Sequence, residues 1–202
     1  MHSITKFVKK SYAGPLLKKE ITAINLVIKN KKEPVTCIIG GSKISTKINV
    51  ITNLLKKVNN IVIVGAMANN FFVHKNLKVG KSLIEKNTKE IIANIYKKAE
   101  EHNCKILIPE DCIVGTDFEG TGKNKNLDEI QENEIILDIG FNTIKKIQKK
   151  INESNTVLWN GPAGYFENEN FSIGTMSIAE NISKNTIAVS YTHLRAHETC
   201  LD

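Results

Sequence analysis

Residues 35–41 read Val-Thr-Cys-Ile-Ile-Gly-Gly, a short apolar run closed by two glycines. Similar short apolar runs follow at 61–64, 105–108, 135–138, 156–159 and 186–190. Segments with apolar residues at helical spacing separate them, at 47–57, 87–103, 143–151 and 174–183, and another helix is predicted from Pro15 to Ile28. Continuous apolar strands that alternate with helices are typical of a parallel sheet covered on both faces. The sequence therefore predicts an α/β fold: a doubly wound, Rossmann-like domain with three α/β/α layers.

Several of the predicted strands end in glycine or in a glycine-containing turn, namely Gly40-Gly41, Gly65, Gly140 and Asn160-Gly161-Pro162. Ligands of doubly wound sheets bind beyond the carboxyl ends of the strands. Glycine there allows tight turns and lets backbone N–H groups approach a phosphate. Glycine also ends many strands and helices that bind nothing, but the repetition favours a ligand site at this edge.

The composition excludes several classes of protein. The 202 residues are 41% hydrophobic and 24% charged, which is ordinary for a folded domain and unlike a disordered tail protein. No apolar run approaches the roughly 18 residues that span a bilayer, so no membrane association is expected. The four cysteines are widely spaced and form no Cys-x-x-Cys pair: Cys37, Cys104, Cys112 and Cys200. This spacing favours neither a disulfide framework nor a zinc site, so reduced thiols and a cytoplasmic location are expected.

The formal net charge of +7 does not by itself indicate nucleic-acid binding. All but one of the 28 Lys and Arg residues are Lys, whereas nucleic-acid contacts rely on the bidentate geometry of Arg. No nucleic-acid partner is therefore expected. A basic nucleic-acid binder remains the weakest of the three hypotheses for function, after the two given at the end of this section. The single Arg, Arg195, lies in residues 191–202, which contain no Lys, Ile or Asn. This break in composition predicts that 191–202 is a tail foreign to residues 1–190, with a short natural tail as the alternative.

The stretch Gly115 to Asn124 has some features of a phosphate-binding loop. The Walker pattern needs four residues between its glycines and Ser or Thr after its Lys, but here six residues separate Gly115 from Gly122 and Asn124 follows Lys123. We predict a flexible loop, and we expect Cys104 and Cys112 to be small core residues.

Three segments carry more information than composition does. They are Gly40-Gly-Ser-Lys-Ile-Ser-Thr-Lys47, then Ile63-Val-Gly-Ala-Met-Ala-Asn-Asn-Phe-Phe72 with Val79-Gly-Lys-Ser-Leu83, and Val157-Leu-Trp-Asn-Gly-Pro-Ala-Gly-Tyr-Phe-Glu167. In order and spacing they resemble the C-terminal, nucleotide-binding domain of phosphoglycerate kinases of the bacterial type. The resemblance covers residues 1–190, which are predicted to be part of that lobe.

The resemblance implies a glycolytic kinase that transfers the acyl phosphate of 1,3-bisphosphoglycerate to ADP, giving ATP and 3-phosphoglycerate, with Mg²⁺ as cofactor. It assigns Lys43 to the nucleotide phosphates and Lys47, as the catalytic residue, to the phosphoryl group in transfer. Their spacing of four would place both ammonium groups on one face entering a helix, with Ser45 as its N-cap.

The same resemblance assigns the remaining cofactor-binding residues. Gly65 and Ala66 would border the adenine, with Gly140 on the opposite wall. Asn160 and Pro162 would shape the phosphate and ribose side, and Glu167 would accept hydrogen bonds from the ribose hydroxyls.

The chain departs from the family pattern in ways that bear on activity. Ala66 stands where the family has Gly, and Tyr191-Thr192-His193 stands where it has a Gly-Gly-Gly-Asp turn that binds phosphate and Mg²⁺. The N-terminal lobe, which binds the phosphoglycerate substrates in the family, has no counterpart. We therefore expect a monomeric kinase fragment, truncated at both ends, that is inactive alone and provides no metal ligand. The alternative is a stand-alone nucleotide-binding or interaction domain without catalysis.

Overall fold

A computed structural model describes residues 31–184 and the backbone of residues 188–191. The chain divides into two compact units, 1–31 and 32–202, and every helix and strand described below belongs to the second. The predicted helix from Pro15 to Ile28 and residues 192–202 lie outside the described residues.

The described elements alternate between strand and helix over most of the chain. In order they are β1 (Val35–Ile39), α1 (Ile48–Leu55), β2 (Asn60–Ile63), α2 (Ala68–His74), α3 (Lys89–Glu101), β3 (Lys105–Leu107), β4 (Asp111–Gly115), β5 (Lys123–Asn126), β6 (Ile135–Ile139), α4 (Phe141–Asn152), β7 (Thr156–Asn160), α5 (Ile173–Ser183) and β8 (Ala188–Tyr191).

The main sheet has five strands in the order β3-β2-β1-β7-β8, and every neighbouring pair is parallel. The chain builds outward from β1 through β2 and β3, then returns to the other side of β1 through β7 and β8. This reversal confirms the predicted doubly wound α/β fold. It also places a topological switch point between β1 and β7, where such sheets bind ligands.

The alternation of side chains along β1 separates the core into two layers. Val35, Cys37 and Ile39 pack in one buried cluster with α1, α2 and α3, while Ile38 packs in another with α4 and α5. Successive residues of a strand point to opposite faces, so a continuous apolar run is what a sheet covered on both sides requires. The three-layer arrangement is the predicted one.

A second sheet, antiparallel and in the order β5-β4-β6, is a feature that the sequence reasoning missed. The apolar run at 135–138 was expected in the parallel sheet, and that expectation is wrong, because β6 pairs with β4. The expected loop is also partly wrong: Lys123–Asn126 is strand β5, whose four polar residues carry no apolar pattern and are defined by pairing with β4. The loop before it is held by Asp117, whose Oδ1 accepts the N–H groups of Glu119 and Gly120 at 3.0 and 2.6 Å.

Within the described residues, the other predicted helices and strands occur within a few residues of their expected bounds. Helix α2 is new, since buried Asn69 and Asn70 interrupt the apolar pattern of Ala68, Phe71 and Phe72. Ser45 is not the N-cap of α1, because Lys47 occupies that position without a side-chain capping bond. Among the described residues, no helix has the length and apolar character needed to cross a membrane.

Candidate functional site

The carboxyl ends of β1, β2 and β7 meet at the switch point. Ile39 lies beside Ile63 on one side and Asn160 on the other. Beyond them, the Gly40 N–H donates to the Asn160 carbonyl at 2.8 Å, and the Gly65 N–H donates to the Ala163 carbonyl at 3.0 Å. Three turns that are far apart in sequence therefore form one backbone cluster.

Gly65 and Gly161 illustrate why this cluster needs glycine. Gly65 has φ +70°, and a Cβ there would lie 2.7 Å from the backbone nitrogen of Gly41. Gly161 has φ +85°, and a Cβ there would lie 2.6 Å from the carbonyl oxygen of Gly40. Both conformations and both close approaches exclude a side chain.

A cavity of about 570 Å³ opens next to these turns. Its volume is in the range of small-molecule and cofactor sites. Four of the sequence-predicted site residues line it: Gly65, Ala66, Pro162 and Glu167. The opposite wall comes from Leu137 and Asp138 at the end of β6, and Gly41 contributes from the turn after β1.

Lys47 and Asn160 form a pair beside the cavity without lining it. The Lys47 Nζ donates to Asn160 Oδ1 at 2.5 Å, and both residues are half-buried. Asn160 ends β7 two residues before Pro162, so this ammonium group lies next to the cavity-lining turn. The structure thus brings together two residues that are 113 positions apart.

Lys43 does not lie with Lys47 on a helix face. It is exposed in the turn that precedes α1, where its carbonyl accepts the Thr46 hydroxyl at 2.8 Å, and it does not line the cavity. The expectation of a helical i, i+4 pair is therefore wrong, because α1 begins at Ile48.

Gly140 does not line the cavity, although its neighbour Ile139 does. It occupies the N-cap of α4, where a Cβ would meet the Asp111 carboxylate. That carboxylate accepts the N–H groups of Asn142 and Thr143 at 2.9 and 2.8 Å. Burial acts to raise the pKa of Asp111, but the hydrogen bonds from Thr143, Asn142 and Asn124 outweigh it and hold that pKa below its ordinary value. Gly140 therefore begins α4, and Leu137 and Asp138 line the cavity instead.

Asp138 is a buried carboxyl group on the cavity wall, 2% exposed. Its Oδ2 accepts the Gly174 N–H at 2.7 Å, and its Oδ1 accepts the Ile139 N–H at 2.8 Å. Burial raises the pKa of Asp138 to about 7, although both N–H groups act in the opposite direction. Side chains at Gly164 and Gly174 would meet this carboxylate, so two glycines make room for it.

Two aromatic side chains border the cavity near Glu167. Phe118 and Tyr165 make an edge-to-face contact with ring centroids 5.1 Å apart, and both remain partly exposed. Phe118 comes from the loop after β4, which sequence reasoning set aside as unrelated to the site. Tyr165 lies in the 157–167 segment that resembles the family, and this position could have indicated that it borders the site.

Cys37, Cys104 and Cys112 are buried as free thiols, in keeping with the expected core roles of Cys104 and Cys112. Burial raises the pKa of Cys37 to about 12 and that of Cys104 to about 11, and it raises the pKa of Cys112 as well. In the described part of the chain, no three His, Cys, Asp or Glu side chains come together as a metal site.

The fold and the cavity define a doubly wound α/β domain with a ligand-sized cavity at its switch point. The family model described as phosphoglycerate kinase matches residues 1–193, and the chain belongs to the phosphoglycerate kinase family. It is 40% identical over 184 residues to the phosphoglycerate kinase of Wolbachia pipientis wMel, covering 91% of this chain and 46% of the relative. It is 37% identical over 185 residues to that of Coxiella burnetii, covering 91% and 47%.

Solved structures agree with these relatives. The structure of phosphoglycerate kinase from Coxiella burnetii matches with a TM-score of 0.85 at 35% identity, over 93% of this chain and 49% of that one. The crystal structure of the enzyme from Pyrococcus horikoshii OT3 matches with a TM-score of 0.75 at 26% identity, over 94% and 49%. The chain spans about half the length of the relatives it matches.

Proposed function

We propose that this chain provides the nucleotide-binding part of a phosphoglycerate kinase, which transfers the acyl phosphate of 1,3-bisphosphoglycerate to ADP and forms ATP and 3-phosphoglycerate. The observation that carries the proposal is the cavity at the β1–β7 switch point with the Lys47–Asn160 pair beside its lining turn. Membership of the family favours this function over a stand-alone binding or interaction domain.

The cavity has separate chemistry at its different walls. Leu137, Phe118 and Tyr165 provide apolar and aromatic surface suited to a purine base. Glu167 provides an exposed carboxylate suited to ribose hydroxyls, and Gly65 and Ala66 border the base on the side of β2. These assignments place the base and ribose in the cavity and the phosphates toward the turns after β1 and β7.

Lys47 is the residue proposed to act on the transferred group. Phosphoryl transfer depends mainly on positioning and on stabilising charge on the equatorial oxygens. Among the described residues the Lys47 ammonium donates to a neutral acceptor, Asn160 Oδ1, and it can exchange that partner for an anionic phosphate oxygen. Lys43, which is exposed in the same turn, provides a second cation for the phosphates.

Mg²⁺ fits this site only together with the nucleotide. The described residues contain no carboxylate cluster that would hold the ion by itself, so the nucleotide phosphates would provide its main ligands. The ion would supply charge neutralisation on those phosphates. Binding of the phosphoglycerate substrates is assigned to a lobe other than this one, and a cytoplasmic monomer is part of the same proposal.

The test compares ADP with adenosine as calorimetric ligands of the purified chain. We expect ADP to bind more tightly than adenosine, and Lys47→Met to weaken ADP about tenfold with little change for adenosine, because charge-assisted hydrogen bonds contribute about 1.5–3 kcal/mol. Lys97→Met is the matched control, since Lys97 is exposed on α3 and has no polar partner among the described residues.

Equal affinities for ADP and adenosine in the unaltered chain would contradict the proposed phosphate site. We also expect no turnover of 1,3-bisphosphoglycerate by the 202-residue chain alone. Measurable turnover in a coupled assay would contradict that part of the proposal.

A further inference from the structure

The turn that carries Lys43 and Lys47 is held by a carboxylate from a distant segment. Glu85 Oε2 accepts the Ser45 N–H at 3.0 Å, and Glu85 Oε1 accepts the Ser45 hydroxyl at 3.0 Å. One carboxylate therefore binds both donors of a single residue, 40 positions away in sequence. Such two-point, charge-assisted contacts restrain orientation as well as distance.

The segment that carries Glu85 is itself fixed to the cavity wall by two buried asparagines of α2. The Asn70 Oδ1 accepts the Glu85 N–H at 2.8 Å, and the Asn69 Nδ2 donates to the Leu83 carbonyl at 3.0 Å. Asn69 and Asn70 are 1% and 2% exposed and both bonds are part-buried, so the loss of either partner is costly. The backbone of Glu85 and of Leu83 is thus hydrogen-bonded to buried side chains of α2.

Within the turn itself, the Lys47 N–H donates to the Ile44 carbonyl at 2.9 Å, which fixes the local backbone but not the orientation of the turn on the rest of the fold. Helix α1 begins after Lys47 without a side-chain cap, and Ser45, which sequence patterns favour for that cap, is occupied by Glu85. Within the turn, the Thr46 hydroxyl donates to the Lys43 carbonyl, and Ile44 is buried beneath it. The buried Ile44 side chain attaches the turn to the core, and the two bonds to Glu85 restrain the orientation of the turn on that core.

We propose that Glu85 is a positioning residue for Lys47. It orients the turn through Ser45, so that the Lys47 ammonium meets Asn160 and, when nucleotide is bound, the phosphates. The inference rests on the proposed function for its consequence in nucleotide binding, but the mechanical link from Glu85 to Lys47 is measurable without any ligand.

The first experiment therefore uses no ligand. Glu85→Ala removes both acceptors, and Glu85→Gln keeps one oxygen acceptor. Two quantities are followed by mass spectrometry: amide hydrogen exchange of the peptide that contains Ser45, and the acylation rate of the Lys47 amine by a lysine-reactive ester.

We expect both quantities to rise in the order unaltered chain, Glu85→Gln, Glu85→Ala, by about fivefold in the last. This is less than a buried charge-assisted bond would give, because the contact is exposed. Exchange in β2 stays unchanged, which shows that the fold is intact. Glu100→Gln and Glu100→Ala are the matched controls, because Glu100 is exposed on α3 and its side chain has no partner among the described residues.

The second experiment measures calorimetric affinity for ADP and for adenosine. We expect Glu85→Ala to weaken ADP about fivefold and adenosine less than twofold, since a misplaced Lys47 affects only the phosphates. General damage to the cavity would weaken both ligands equally and would overturn the inference.

The outcomes separate this inference from the proposed function. If the unaltered chain fails to distinguish ADP from adenosine, the proposed function fails, and the labelling of Lys47 still decides whether Glu85 positions it. Unchanged exchange and unchanged Lys47 acylation in Glu85→Ala would overturn the inference, even if the chain binds ADP.

Should Glu85→Ala lose the β2 protection, Ser45→Ala takes its place, because it removes the hydroxyl bond and leaves the segment of Glu85 untouched. In that variant a rise in Lys47 acylation supports the inference and no rise overturns it.

Discussion

The protonation of Asp138 links the stability of the chain to pH in a direction opposite to that of an ordinary salt-bridged carboxylate. The group is 2% exposed, and burial raises its pKa to about 7 in the folded chain, against an ordinary value of 3.8. Between these two values the folded state binds more protons than the unfolded state. Its contribution to stability is therefore greatest below the unfolded pKa and is lost as pH rises through the folded pKa.

The size of the effect follows from the shift. Each pKa unit corresponds to about 1.4 kcal/mol, so between pH 5 and pH 8 this one group should cost the folded state about 2.5 kcal/mol. The Asp138→Asn variant removes the titration. Because an amide offers only one oxygen to the N–H groups of Gly174 and Ile139, the variant also has a penalty, but that penalty does not depend on pH.

The assay is urea unfolding of both proteins from pH 5 to pH 8, with the difference in unfolding free energy plotted against pH. Other titrating groups are common to both chains and cancel in this difference. We expect the variant to gain about 2.5 kcal/mol relative to the unaltered chain over this range. A flat difference would refute the reasoning, because it would mean that Asp138 is ionised in the folded chain throughout the range and that its two N–H donors outweigh burial.

Three further predictions concern the packing around the site. Gly65→Ala should destabilise the chain by about 2 kcal/mol or more, measured as a lower urea midpoint, because Gly65 has φ +70° and its Cβ would lie 2.7 Å from the Gly41 nitrogen; an unchanged midpoint would show that the turn can relax. Trp159→Phe should cost about 1–2 kcal/mol in the same assay, since the Trp159 Nε1 donates to the Gly161 carbonyl at 2.8 Å; equal stability would mean that water replaces this donor. The thiols of Cys37, Cys104 and Cys112 should resist alkylation at pH 8 until the chain unfolds, because burial raises their pKa values. Peptide mapping of the alkylated chain measures this, and rapid labelling of any of them in the folded chain would contradict its burial.

The local patterns of the sequence were sufficient for most individual elements. The continuous apolar runs that form β1, β2 and β7, and the recurrence of apolar side chains every three to four residues in α3, α4 and α5, are local patterns that a short window contains. They were not sufficient for β5 or α2. Lys123–Asn126 becomes a strand only by pairing with β4, and α2 buries two asparagines whose partners lie in the 83–88 segment.

The candidate site divides in the same way. The resemblance to the family assigns Gly65, Pro162 and Glu167 to one nucleotide site, and the structure lines one cavity with all three. Gly140 is not among the residues that line this cavity, and nothing in the run at 135–140 indicates that its strand leaves the parallel sheet. A strand's partner is chosen by contacts between residues far apart in sequence, and periodicity contains no information on such contacts.

By itself, then, the sequence determined the α/β class, the glycine-closed strand ends and the resemblance to the phosphoglycerate kinase family. Only the tertiary structure decided that β1 lies between β2 and β7, that Asp138 is a buried carboxyl group on the cavity wall, and that Lys47 faces Asn160 while Lys43 does not. The physical reason is that strand propensity and turn chemistry are local properties. Burial, pKa and the position of an ammonium group depend on which distant segments the crossovers of the fold bring into contact.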